Sequence, residues 1–128
     1  MTDLFIDGHW VSPETGGQRE LRSPADGSLV ATVDEAGAVD TERAIAAARR
    51  AFDSTGWSSS PVADRGRLLL RIADLLQRDK ATIARLESED TGKRLVESDY
   101  DVDDVTSVFR HFGEVAVAEG GASHGRPV

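Results

Sequence analysis

Three patterns in this sequence could do chemistry, and each can be judged by what its spacing requires. Gly121-Ala122-Ser123-His124-Gly125 has the G-x-S-x-G form of a nucleophile elbow, which holds a serine hydroxyl on a sharp turn. That elbow needs a strand before it, a helix after it, and an acid and a histidine later in the chain. Here a helical pattern precedes it, and neither an acid nor a histidine follows it. Asp99, Asp101 and Asp103 alternate as the start of an EF-hand calcium loop does. The sixth position of such a loop is glycine and the twelfth is glutamate; here they are Asp104 and Arg110. Thr91-Gly92-Lys93 has the ending of a phosphate-binding P-loop, but Glu87 stands where the first glycine belongs. His9, His111 and His124 have no metal-ligand spacing. The absence of cysteine from these residues excludes a disulfide, a thiolate metal site or a cysteine nucleophile among them. By residue chemistry alone, no active site is spelled out.

Charge narrows the partners. The net charge is −8, and Glu87 to Asp104 holds eight acids against two bases, so −6 of it is concentrated there. Such a run is usually a solvated face, and the aspartates from Asp99 read as a solvated acidic turn leading into a helix. An acidic chain repels phosphate, which argues against a nucleic-acid partner. No run approaches the ~18 consecutive apolar residues of a membrane span. Met1 to Trp10 carries Asp3 and Asp7 and no Lys or Arg, unlike the basic start of a signal peptide. The cytoplasm is the expected compartment.

The elements that must position any site follow from periodicity. Leu4-Phe5-Ile6 and Trp10-Val11 flank Asp7-Gly8, a pair suited to the two positive-φ positions of a type I′ hairpin turn. Pro13 to Gly17 reads as loop. Arg19 to Arg22 and Leu29 to Val33 read as a second strand pair around the turn Pro24-Ala25-Asp26-Gly27. The period then changes from two to 3.6. Asp40 is placed to cap a helix running to about Phe52, with Ile45, Ala48 and Phe52 as its apolar face. Ser60-Pro61 opens a second helix through Leu69, Ile72 and Leu76. Asp79-Lys80 is a joint or a short continuation, Ile83 and Leu86 carry a third piece, and Gly92 ends it. In the last helix Val102, Val105, Phe109, Phe112 and Ala116 form a stripe, widened by Val108 and Val115, before Gly120-Gly121. The expected fold class is α+β: N-terminal β-hairpins followed by about four α-helices. The expected organisation is a single truncated domain over 1–128, with hairpins over 1–36, helices over 38–119 and an extended tail over 120–128.

The order of these pieces resembles the N-terminal segment of the NAD(P)-dependent aldehyde dehydrogenase superfamily. Leu4-Phe5-Ile6-Asp7-Gly8-His9-Trp10 is similar to its opening hairpin, and Ser23-Pro24-Ala25-Asp26-Gly27 to its Asn-Pro-Ala-Thr-Gly turn. Gly56-Trp57, Asp64-Arg65 and Ile72-Ala73-Asp74-Leu75-Leu76 follow in the family's order. So do Leu86-Glu87 with Asp90-Thr91-Gly92-Lys93, and Asp101-Val102-Asp103-Asp104 with Phe109-Arg110-His111-Phe112. Arg94 replaces the family's usual proline, and Gly113-Glu114 its common Ala-Gly.

The resemblance implies an enzyme that oxidises an aldehyde to a carboxylic acid with NAD or NADP. A cysteine thiolate adds to the carbonyl, hydride passes to nicotinamide, and a glutamate activates water. In the family these groups, with the glycine-rich cofactor loop, lie beyond the segment matched here. The chain is therefore expected to be scaffold, inactive by itself, with neither catalytic nor cofactor-binding residues. Its implied partners are the rest of an aldehyde dehydrogenase chain or a homo-oligomer. The family pattern also implies a sodium or potassium ion near Asp101 and the backbone carbonyls of Leu21 and Arg22; a simple helix-start role for Asp101 is the competing reading. A free-standing helical interaction domain derived from the same segment is the alternative function. The helical stripes are expected to lack a full cover, giving a poorly stable or self-associating chain.

Overall fold

The computed structural model describes residues 3–54 and 56–119. Four strands in two hairpins precede three α-helices, with one 3-10 turn, Trp57–Ser59, before the second helix. The described residues form two compact units. One is built on the residues up to Ser59 with Glu89–Gly92, the other on Ser60–Ser88 and the residues from Lys93 onward.

In the first unit, β1 (Leu4–Ile6) and β2 (His9–Val11) pair antiparallel, with Phe5 opposite Trp10. Asp7 and Gly8 lie at φ 55° and 81°, as the two-residue turn requires. Strands β3 (Gln18–Arg22) and β4 (Leu29–Asp34) pair from Gln18↔Asp34 to Arg22↔Leu29. Their register slips between Leu21 and Arg22. Helix α1 spans Ala38–Ser54, starting two residues before Asp40. The expected face is corrected by the structure: Ile45, Ala48 and Phe52 are exposed, while Asp40 and Ala47 are buried. Arg43 and Arg50 are exposed on the side of α1 toward the first hairpin, where Arg43 pairs with Glu14 and Arg50 with Asp7.

The second unit is mainly a helical hairpin. Helix α2 runs unbroken over Val62–Thr91, 30 residues and about 45 Å. No joint forms at Asp79-Lys80, so the helices number three rather than four. Between Arg67 and Thr91 there is no glycine or proline to interrupt it. Gly92, at φ 74°, takes the left-handed position just after the helix. Helix α3 spans Leu95–Glu119 and so includes Asp99 to Asp104, which the sequence placed in a turn leading to the helix. Arg94 and Glu97 pair across its first turn, and the Ser98 N–H bonds to the Arg94 carbonyl.

Ion pairs Arg110–Asp74 and Lys80–Asp103 join α2 and α3, which run antiparallel. The helices meet through small groups. A Cβ on Gly66 would lie 2.8 Å from the Gly113 carbonyl oxygen. Gly66, Ala73 and Ala84 of α2 are buried, as are Ser98, Val102, Thr106 and Gly113 of α3. This corrects the expected α3 stripe. Val102 is buried and Phe109 and Ala116 are half-buried, but Val105 and Phe112 are exposed. Where two backbones approach this closely, bulky side chains are excluded from the seam.

Candidate functional site

The polar geometry of the described residues centres on one buried carboxylate and two braced lysines. Asp40 is fully buried in the first unit. Its Oδ1 and Oδ2 each accept from the Glu14 backbone N–H at 3.2 Å, and Oδ2 also accepts from the Gly37 N–H at 3.2 Å. Gly37 precedes the first helical residue, so Asp40 reaches back from the third position of α1 in one half of a capping box. Burial pushes the Asp40 carboxyl up. The backbone N–H groups of Glu14, Gly37 and Thr15, with Arg43, outweigh that and hold it below the ordinary value. This carboxylate ties the Pro13–Gly17 loop to the start of α1. Its oxygens are occupied by that task.

The chain has only two lysines against thirteen arginines. Both lysines sit in the helical unit, each between two carboxylates. The Lys80 Nζ lies 2.7 Å from Asp103 Oδ2 and 2.8 Å from Asp99 Oδ2. Lys93 donates to Asp101 and, at 3.0 Å, to Glu87, while the Ser88 hydroxyl donates to the Lys93 carbonyl. Hydrogen bonds to Asp103 and Asp99 raise Lys80 above the ordinary lysine value; those to Asp101 and Glu87 do the same for Lys93.

Among the described residues each unit carries a cleft. In the first unit, Ile6, Asp7, His9 and Val11 of the hairpin face Arg43, Ala46 and Arg50 of α1 around about 400 Å³. Arg50 pairs with Asp7 at 3.0 Å, and Arg43 with Glu14 at 3.2 Å, so both cations are already matched. In the second unit, Ala81, Ala84 and Arg85 with Leu95, Val96 and Asp99 line a largely apolar groove of about 420 Å³. A dinucleotide needs a run of backbone N–H groups at a glycine-rich turn to cradle its phosphates. Neither cleft is lined by glycine. Neither of these two clefts therefore fits the phosphates of NAD or NADP.

The residues expected from the sequence fall as follows. Leu21 and Arg22 end β3 in the first unit, at the register slip; the Arg22 guanidinium bonds to Glu20 and to the Gly27 carbonyl. Asp101 lies on α3 in the second unit, half exposed, its carboxylate engaged by Lys93. Among the described residues, no group of three or more His, Asp or Glu could hold a metal ion. His9 is exposed in β2, and His111 is exposed with its ring against Phe112. Ser123 and His124, with the expected tail, lie outside the described residues. Sequence reading missed Asp40 as a tether and the lysine braces. The pairing of Asp40 with the loop 26 residues earlier leaves no periodic signal.

Known proteins decide what this arrangement belongs to. Residues 10–125 match the model of the aldehyde dehydrogenase family. The chain belongs to the aldehyde dehydrogenase family. It is 46% identical over 125 residues to a betaine aldehyde dehydrogenase of Bacillus subtilis (strain 168), covering 98% of this chain and 26% of that protein. It is 38% identical over 113 residues to retinal dehydrogenase 2 of Mus musculus, covering 87% of this chain and 22% of that one. Its fold matches the crystal structure of betaine aldehyde dehydrogenase from Staphylococcus aureus in complex with NAD+, with a TM-score of 0.86 and 39% identity. That match covers 100% of this chain and 25% of the other. The aldehyde dehydrogenase segment described here thus spans about a quarter of the length of these relatives. None of its described helices is long and apolar enough to cross a membrane.

Proposed function

We propose that this chain is the N-terminal scaffold segment of an NAD(P)-dependent enzyme that oxidises an aldehyde to a carboxylic acid, and that it performs no catalysis alone. The observation that carries the reading is the placement of its large apolar residues. The buried apolar side chains are Ala47, Ala73, Ala84 and Val102. Phe112, Leu95, Val96 and Val108 are 58%, 55%, 52% and 51% exposed. Large apolar side chains left outside the core in this number are what a covered interaction surface requires. Its cover is the remainder of an aldehyde dehydrogenase chain or a second copy within a homo-oligomer. Nucleic acid and membrane have no part in this reading, and the compartment is the cytoplasm.

The test has two arms. The purified chain, mixed with NAD or NADP and a set of aldehydes, should form no reduced cofactor; turnover above a buffer control overturns the reading. The same chain should bind an apolar dye and scatter more light as its concentration rises, and Val108→Glu with Phe112→Glu should suppress both. A dye-free monomer with a sharp cooperative melt would instead favour a free-standing helical interaction domain. A sodium or potassium ion held by Asp101, Leu21 and Arg22 also stands in this reading. Hard cations take oxygen ligands, and at Asp101 an ion would compete with the Lys93 ammonium. Melting in sodium, potassium and choline chloride at matched ionic strength checks it. Identical curves remove the ion.

A further inference from the structure

Lys80 stands out because its chemistry and its surroundings disagree. Among the side chains of this protein, a lysine amine is the one best able to condense with an aldehyde. Its nitrogen lone pair forms the C–N bond of an imine, and the carbonyl oxygen leaves as water. That step needs the neutral amine. A guanidinium, charged at any physiological pH, offers no comparable lone pair. Thirteen of the fifteen cationic residues are arginine. Lys80 retains an amine, yet it lies on the α2–α3 seam with 21% of its side chain exposed. Asp103 and Asp99, one helical turn apart on α3, take its ammonium at 2.7 and 2.8 Å.

We propose that Asp99 and Asp103 hold Lys80 unreactive towards aldehydes, so that a segment working among aldehyde substrates keeps its helical seam unmodified. The proposal rests on the aldehyde-oxidising reading above. Two effects act together. Reaction requires the ammonium to lose a proton while two carboxylates face it, which suppresses an amine form that for an ordinary lysine is already only about four parts in ten thousand at neutral pH. The nitrogen must also leave both hydrogen bonds and turn outward before a carbonyl carbon can reach it. Arg78 and Asp79, its charged neighbours on α2, pair with each other and do not relieve this hold.

The experiment measures adducts lysine by lysine. The chain is incubated at neutral pH with acetaldehyde and sodium cyanoborohydride, which donates hydride to the imine and fixes it as ethyl-lysine. Mass spectrometry then reads Lys80 and Lys93 separately, in the folded chain and in the same chain unfolded in urea. Lys80 should be modified about tenfold more slowly when folded, because both carboxylates favour the charged form and the nitrogen must leave two hydrogen bonds. The double change Asp99→Asn and Asp103→Asn should restore most of that rate at Lys80 and leave Lys93 slow. A slow Lys93 also shows that the variant still folds. Equal Lys80 rates in the folded and unfolded chains would overturn the proposal, as would a variant that raises neither. Such a failure leaves the aldehyde dehydrogenase reading intact, because that reading is tested by turnover and by dye binding.

Discussion

The hairpin unit and the helical unit each bury little apolar bulk, but they fill their interiors with different things. In the hairpin unit the fully buried side chain is a carboxylate. Asp40 collects backbone N–H groups from a loop and from the start of α1. In the helical unit the interior is a close approach of two backbones, with Gly66 against Gly113 and alanine, serine, valine and threonine along the seam. One unit is held by a hydrogen-bond hub that a single atom can break. The other is held by the absence of side chains, which a single added carbon can break. Both arrangements leave the bulky residues facing outward, Phe5 and Trp10 in one and Phe112 and Val108 in the other. In both, small and polar groups make the joints, and the large apolar side chains stay outside them.

The strongest way to break the comparison is to add bulk at Gly66. A Cβ there would meet the Gly113 carbonyl oxygen at 2.8 Å, the Ala116 Cβ at 2.9 Å and the Val117 Cγ2 at 2.9 Å. None of these is the free end of a long side chain. Gly66→Leu should abolish the helical hairpin. Gly66→Ala should still destabilise by about 1–3 kcal/mol, although alanine is the better helix former by about 1 kcal/mol. Gly113→Ala should cost somewhat less: a Cβ there would meet the Leu70 Cγ at 2.8 Å and Cδ2 at 2.9 Å, which can shift more readily than backbone, and the Gly66 carbonyl oxygen only at 3.0 Å. Urea titration followed by circular dichroism ranks the three. A Gly66→Ala variant as stable as the parent would show that the seam is looser than its geometry.

The next largest effect is expected at Asp40. Asp40→Ala strands the Glu14 and Gly37 N–H groups in a buried setting, and a lost cap or an unmade buried bond is costly. The melting temperature of the hairpin unit should fall by about 5–10 °C. The acid dependence has a definite sign. The folded carboxyl lies below its ordinary value of 3.8. Its contribution is therefore fully present above that value and is lost as pH falls through the lower folded value. Hydrogen exchange at Glu14 and Gly37 should accelerate in that window in the parent. In Asp40→Asn it should be fast at every pH. Exchange that ignores both acid and substitution would remove Asp40 as the hub.

These two sites also show what the sequence carried and what it hid. Both hairpins were legible because Asp7-Gly8 and Pro24 to Gly27 are turn chemistry, local and tied to φ. The end of α2 was legible because Gly92 supplies the left-handed position. Three features were not. A carboxyl in the first turn of α1 reads as a helix start, but nothing in its spacing names Glu14 as its partner. The aspartates from 99 to 104 read as a wet turn, because the Lys80 and Lys93 that neutralise three of them come from elsewhere in the hairpin. The stripe through Val105 and Phe112 reads as a core face. Periodicity shows that a helix has two sides without saying which side a close-packed neighbour takes. As for the candidate site, the family was legible from ordered short motifs.

The smallest effect tests the seam from within. Ser98 Oγ and Thr106 Oγ1 are buried on α3 and meet no hydrogen-bond partner. Each lies two helical turns from the other along the face that also carries buried Val102. A desolvated hydroxyl with no acceptor costs free energy that an apolar group of similar shape does not. Ser98→Ala removes that cost, improves helix propensity and takes away one small atom. Thr106→Val removes it with the volume nearly kept. Each change should therefore stabilise the helical unit, by about 0.5–1 kcal/mol, while the hub at Asp40 tolerates no such loss of a polar group. The readout is the urea midpoint at constant slope, which separates a true gain in stability from a change in the unfolded chain. If both variants prove less stable, the two hydroxyls are satisfied in solution. The seam would then depend on hydrogen bonds as the hairpin unit does, and the contrast between the units would narrow to their backbone spacing.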